Sequence, residues 1–140
     1  MTVRLKLIDR ADLEEVWPIA GPLIDMAIQH AHGETTLEHL YKDLTLGERK
    51  LIMVTEEGKT LAAAVLSMSH YPRKKVCQVS FAGGQEMDKW CDQALPTVER
   101  IAREAGADTV RIQGRKGWLR RLRDHGYDDR GIVIEKELEA

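Results

Sequence analysis

Cysteine is scarce in this chain of 140 residues: Cys77 and Cys91 are the only two. Two thiols cannot make a disulfide framework, so a reducing cytoplasm is the expected setting and small buried hydrophobes the plain reading of both. No apolar run approaches the ~20 residues that cross a bilayer, so no membrane partner is expected. The opening Met1-Thr2-Val3-Arg4-Leu5-Lys6 alternates like a strand and lacks the apolar segment of a signal peptide. An excess of one charge is missing too. A formal net charge of -2 argues against a general nucleic-acid binder, although local basic clusters are present. Metal-ligand spacing is absent: His30 and His32 are two apart and point to different sides of a helix. No serine or cysteine sits in a nucleophile elbow. Repeats, low-complexity tracts and linkers are lacking as well.

What is there is an ordinary globular composition, 43% hydrophobic and 31% charged, read as one domain over residues 1–140. Val3, Leu5 and Leu7 predict a half-buried first strand. Leu13, Val16, Trp17, Ala20, Leu23, Ile24, Ala27, Ile28 and Ala31 follow helical spacing. Pro18 and Pro22 within that run predict a kink or two abutting helices. Thr35 or Thr36 can cap a second helix through Leu37, Leu40, Tyr41 and Leu44. Lys50–Thr55, a turn at Glu56–Lys59, and Thr60–Met68 form a hairpin signal, and Lys75–Phe81 is the next strand, ending at Ala82-Gly83-Gly84. Met87–Ala105 reads as a helix in which Pro96 is a conflict of ~3 kcal/mol unless the helix bends. Thr109–Gln113 is a short strand, and Ile132–Leu138 a closing one.

Between those last two strands lies Gly114-Arg115-Lys116-Gly117-Trp118-Leu119-Arg120-Arg121-Leu122-Arg123-Asp124-His125-Gly126-Tyr127, a basic turn and helix. Three readings apply to it. Leu119, Leu122 and Trp118 pack inward while Arg120, Arg121 and Arg123 face water; or Arg115 and Lys116 bind phosphates; or these cations, with Lys74 and Lys75, dock another macromolecule. Trp118 reads as a core anchor.

Strand, two helices, three antiparallel strands, then helix, strand, helix and strand resembles the GNAT (Gcn5-related N-acetyltransferase) fold. Gly126-Tyr127 is similar to the "G-F/Y" that ends the family's fourth helix, and Glu135-Lys136-Glu137-Leu138 to its terminal "E-K-x-L". Gly114 to Trp118, followed by Leu119, Leu122 and Gly126-Tyr127, is most similar to the small GNAT-like proteins of tailed phages and prophages, internal virion proteins included. The resemblance implies an α/β (α+β) fold of order β-α-α-β-β-β-α-β-α-β, with a mixed, mostly antiparallel central sheet and helices on both faces. It implies acetyl-CoA as cofactor, cradled by Phe81, Ala82, Gly83, Gly84 and Gln85, with Arg115 and Lys116 beside it. The family's "Q/R-x-x-G-x-G/A" is not matched: the glycines fall early, and Glu86 and Asp88 stand where phosphate would sit. Many relatives use a tyrosine four residues before the "G-F/Y" glycine as general acid; here that place holds Leu122. Candidate bases are Glu34, His32 and His70, and Ser80 falls near the expected acyl position. No catalytic residue is assigned.

Two expectations follow from the resemblance. One is an acyl-CoA-dependent N-acetyltransferase-like protein acting on an amine. The other is a non-catalytic virion or assembly component contacting phage structural proteins, in the host cytoplasm or the virion. A last strand with no neighbour beyond it leaves an exposed sheet edge, through which a homo-oligomer could form.

Overall fold

The computed structural model describes residues 2–30, 33–85, 87–113, 116–131 and 134–139. The expected acid Glu86, base His32 and phosphate ligand Arg115 lie outside them, as does the side chain of Lys116. Strand β1 (Val3–Ile8) leads through a 3-10 turn (Arg10–Asp12) into helices α1 (Leu13–Gln29) and α2 (Leu37–Leu46). Strands β2 (Lys50–Glu56), β3 (Lys59–His70) and β4 (Lys75–Gly84) follow, then helix α3 (Met87–Glu104) and strand β5 (Thr109–Ile112). A 3-10 turn (Lys116–Trp118) precedes the short helix α4 (Leu119–Arg123).

The five strands lie in sequence order, β1-β2-β3-β4-β5. The first three pairings are antiparallel, and β5 joins β4 in parallel after the α3 crossover. The mixed, mostly antiparallel sheet with helices on both faces is as expected. Period-2 alternation divides its side chains into two layers. Leu51, Met53, Ala63 and Val65 meet Leu13, Ala20, Ile24, Leu40 and Leu44 of α1 and α2. Ile52, Ala64, Leu66, Cys77 and Val79 meet Val98 and Ala102 of α3 on the other side. The run Leu51 to Val54 is buried throughout because each face has its own helix layer.

Two expectations are corrected. Of the kink or two abutting helices expected at Pro18 and Pro22, the second is not found: α1 is one helix through both, as α3 is through Pro96. All three prolines are exposed, as are Glu14, Pro18 and Asp92, whose carbonyls lose the helical donor. Water can serve those carbonyls, so the helix continues. The closing strand does not form among the described residues: Gly131 and 134–139 carry no strand, and Ile134 and Leu138 are 86% and 85% exposed. Its alternation is strand-like, but a strand needs a paired neighbour, and β5 has only β4.

Gly126 shows why the glycine-aromatic pair ends a helix. Its φ of +87° turns the chain out of α4, and the Tyr127 amide then donates back to the Leu122 carbonyl at 3.2 Å. Leu122 and Tyr127 share one apolar cluster, which completes a Schellman ending. Among the described residues no helix is long and apolar enough to cross a membrane.

Candidate functional site

The parallel joint of β4 and β5 is short. Val76 to Val79 face Thr109 to Ile112, and the Gln113 amide adds one bond to the Val79 carbonyl at 3.0 Å. Beyond that point β5 stops while β4 runs on for five residues to Gly84. The β4 backbone changes course just there. Ala63 pairs with Gly83 but Val65 with Ser80, so Phe81 and Ala82 together oppose Ala64. This is a β-bulge, and Phe81 sits at φ +51°, a region disfavoured for a side chain of that size. Such strain persists only where packing holds it. Phe81 packs against the α1–α2 core and Ala82 against the α3 core, so the two halves of the bulge are anchored in opposite layers.

The result is a cleft between the parted ends of the two strands. Gln78 bridges its root, its amide nitrogen donating to the Ser80 hydroxyl and to the Gln113 side-chain oxygen, each at 3.1 Å. Ser80 is buried. On the α3 side an apolar cavity of about 110 Å³ opens between sheet and helices, with Ala82, Met87, Cys91, Ile112, Trp118 and Leu122 in its wall.

The glycines after the bulge serve packing. A Cβ on Gly83 would lie 1.8 Å from the Leu23 carbonyl oxygen, so α1 rests directly on this backbone. A Cβ on Gly84 would lie 2.3 Å from the Leu61 carbonyl oxygen. That same carbonyl accepts from the Gln85 amide at 2.9 Å, and the Gln85 carbonyl accepts from the Trp90 indole at 2.8 Å. Both backbone groups of Gln85 are therefore engaged. Helix α3 opens beyond this loop at Met87. Lys89, the nearby cation, pairs with Glu56 at 2.9 Å.

Of the three readings of the basic helix, the one that leaves Arg121 facing water does not hold for that residue. Its guanidinium reaches α3, donating to the Asp88 carbonyl at 3.0 Å and to the Asp92 carboxylate at 3.1 Å. Its Nε is buried with no partner among the described residues. His125 meets the other Asp92 oxygen at 2.7 Å. The signal was present: Trp118, Arg121, Leu122 and His125 fall at i, i+3, i+4 and i+7, one helical face. Beneath them Leu122, Cys91 and Leu95 pack with Trp118 and Tyr127, so Trp118 is an anchor as expected.

Proton donors are few here. Tyr127 donates to Glu99 at 3.1 Å, and burial, helped by the Glu99 charge, pushes its phenol far above the ordinary tyrosine value. Burial also raises both cysteine thiols. Ser80, expected near the acyl position, is in the cleft, but neither described candidate base is. His70 pairs with Lys75 at the opposite end of β4, nine residues from Gly84 and so roughly 30 Å away at strand spacing. Glu34 is exposed between α1 and α2. No group of three or more His, Cys, Asp or Glu among the described residues could hold a metal ion.

No family model and no curated protein sequence matches this chain. Solved structures do. A GCN5-related N-acetyltransferase from Ralstonia eutropha superposes with a TM-score of 0.67 at 15% identity, over 98% of this chain and 99% of that one. Glucosamine-6-phosphate N-acetyltransferase from Arabidopsis thaliana gives 0.63 at 13%, over 99% and 100%. A predicted acetyltransferase from Clostridium acetobutylicum, solved with acetyl-CoA, gives 0.64 at 11%, over 97% and 96%. With the sheet order, the β4 bulge and the parted strands, these matches show that the chain has the fold of the GNAT acetyltransferases.

Proposed function

We propose that this chain is an acyl-CoA-dependent N-acetyltransferase-like protein of the phage or prophage type, with a cofactor loop that departs from the family's usual form. The parting of β4 and β5 at the bulge carries this reading. The pantetheine arm of CoA is an extended chain with two amides, and a strand edge that has lost its neighbour offers backbone groups at matching spacing. Ser80, Phe81 and Ala82 line that edge, and the apolar wall beside it suits an acyl group.

The fit is good for the arm and poorer for the phosphates. Gly83 and Gly84 are filled by Leu23 and Leu61, and the Gln85 amide is taken. The opening amides of α3 would meet the pyrophosphate, with Arg115 and Lys116 supplying charge against Asp88. Acetyl-CoA, when bound, supplies an activated acyl thioester. Leu122 cannot donate a proton, and Tyr127 is committed to Glu99. With no acid there, the departing thiolate must take the proton that the attacking amine gives up; with neither His70 nor Glu34 in the cleft, the amine must enter already neutral, and the rate should climb with pH toward the amine's own pKa.

Thermal shift with acetyl-CoA tests the reading. At a hundred times the dissociation constant, binding should add about 2.7 kcal/mol of stability, and an Arg115→Glu/Lys116→Glu double variant should lose most of it. Absence of any shift at millimolar acetyl-CoA would overturn it. The alternative, a non-catalytic assembly component of a phage, is favoured by the packed glycines and by Leu122, and it expects that negative result.

A further inference from the structure

We infer that the acceptor of this chain is a primary amine carrying a carboxylate about 10 Å from its nitrogen, the carboxylate held by Arg111 on the open face of β4 and β5. The inference rests on the acetyltransfer reading and names the substrate class of that same cleft.

The cleft has two unlike faces. Cys77, Val79, Val110 and Ile112 turn toward α3 and pack there. The alternate residues Gln78, Ser80, Arg111 and Gln113 therefore turn to the opposite side. On that side the α1–α2 layer packs Leu51, Met53, Ala63 and Val65 of β2 and β3, with Phe81 at its margin, and takes in no residue of β5. Arg111 and Gln113 are exposed, and Gln78 is half-buried. An acyl group set against the apolar wall on the α3 side leaves this polar face to the acceptor.

The polar face holds a cation and no acid. Val76, Gln78, Ser80, Thr109, Arg111 and Gln113 make it up along the two strands. Asp108, at the head of β5, has its carboxylate engaged by the Lys75 amide at 2.9 Å. Arg111 has no carboxylate partner among the described residues; it lies 5.7 Å over the ring of Tyr71 and donates to its hydroxyl at 3.3 Å. That bond, with the charge behind it, lowers the Tyr71 phenol below its ordinary value, so the place already favours negative charge. An acceptor with a second ammonium would meet like charge there. One with a carboxylate would meet a planar fork of donors, fixed in direction by the tyrosine ring.

Spacing sets the length. Arg111 stands opposite Gln78 in register, and Ser80 is two residues further along β4. At strand spacing, roughly 5 Å across and 7 Å along, the Arg111 backbone is about 8 Å from that of Ser80. The guanidinium leans toward Tyr71, beyond the His70–Lys75 pair and so away from Ser80, which lengthens the span. An α-amino acid, with nitrogen and carboxyl carbon about 2.5 Å apart, is too short, whereas extended aminoheptanoate reaches about 9 Å.

Calorimetry on the full chain loaded with CoA tests it, with aminoheptanoate, heptylamine and diaminoheptane as probes. The amino acid should bind about tenfold tighter than the alkylamine, and the diamine most weakly. Arg111→Gln should abolish that preference while acetyl-CoA still shifts the melting temperature as it does for the native chain. Arg111→Lys should keep part of the preference. Arg111 is exposed, so circular dichroism should show both variants folded. No binding of any probe, equal affinity for the amino acid and the alkylamine, or a preference that survives Arg111→Gln overturns the inference and leaves acetyl-CoA binding standing. Absence of a shift with acetyl-CoA overturns the acetyltransfer reading and this inference with it.

Discussion

At the scale of single residues, the missing side chain of Gly83 matters more than most side chains present. Gly83→Ala places a methyl 1.8 Å from the Leu23 carbonyl oxygen, and backbone cannot swing aside as a flexible side chain can. Urea denaturation should register a loss of about 3 kcal/mol, the upper part of the range for overpacking. Gly106→Ala is the control: nothing lies within 4 Å of its added Cβ, and only the φ of +87° opposes it, about 1–2 kcal/mol. Tyr127 gives a pH signature. Its phenol is raised by burial and by Glu99, so above the ordinary value near 10 the unfolded chain releases a proton that the folded chain keeps. The folded state then binds more protons, and stability falls as pH rises beyond 10. Tyr127→Phe should flatten that fall in chemical denaturation measured from pH 8 upward.

Among the elements, α3 carries a proline on its solvent side without breaking. Pro96→Ala returns a donor for the exposed Asp92 carbonyl and a better helix former, so it should stabilise by about 1–3 kcal/mol, read from the melting temperature. Element identity was legible in the sequence because periodicity is a local signal: β1 (Val3–Ile8), β2 (Lys50–Glu56) and α3 (Met87–Glu104) stand within a residue of where they were expected. The two-helix alternative at Pro18 and Pro22 misled because a pattern does not say which face of the helix meets water. The closing strand misled for the opposite reason, since Ile134 and Leu138 alternate correctly whether or not a partner lies beside them. Site residues were the least legible. Phe81 at positive φ and the occupied space at Gly83 depend on β3 and α1, whose residues are distant in sequence. Arg121 could have been found from its spacing to Trp118, Leu122 and His125; charge alone pointed to solvent.

For the whole molecule, the four-pair joint between β4 and β5 has a kinetic side. β2, β3 and β4 are neighbours in sequence and can zip as a meander, whereas β5 must wait for α3 to close a loop over the sheet. Strand β5 is thus the natural last piece to fold and the first to open. Its half-exposed residues and short ladder predict amide exchange in Thr109–Ile112 well ahead of that in Leu51–Val54, measurable by mass spectrometry without global unfolding. The cleft then lies along a seam that breathes, with one wall anchored in the core and the other on a latch. A molecule that fills the gap between them would slow that breathing at β5 and leave the β2 amides unchanged.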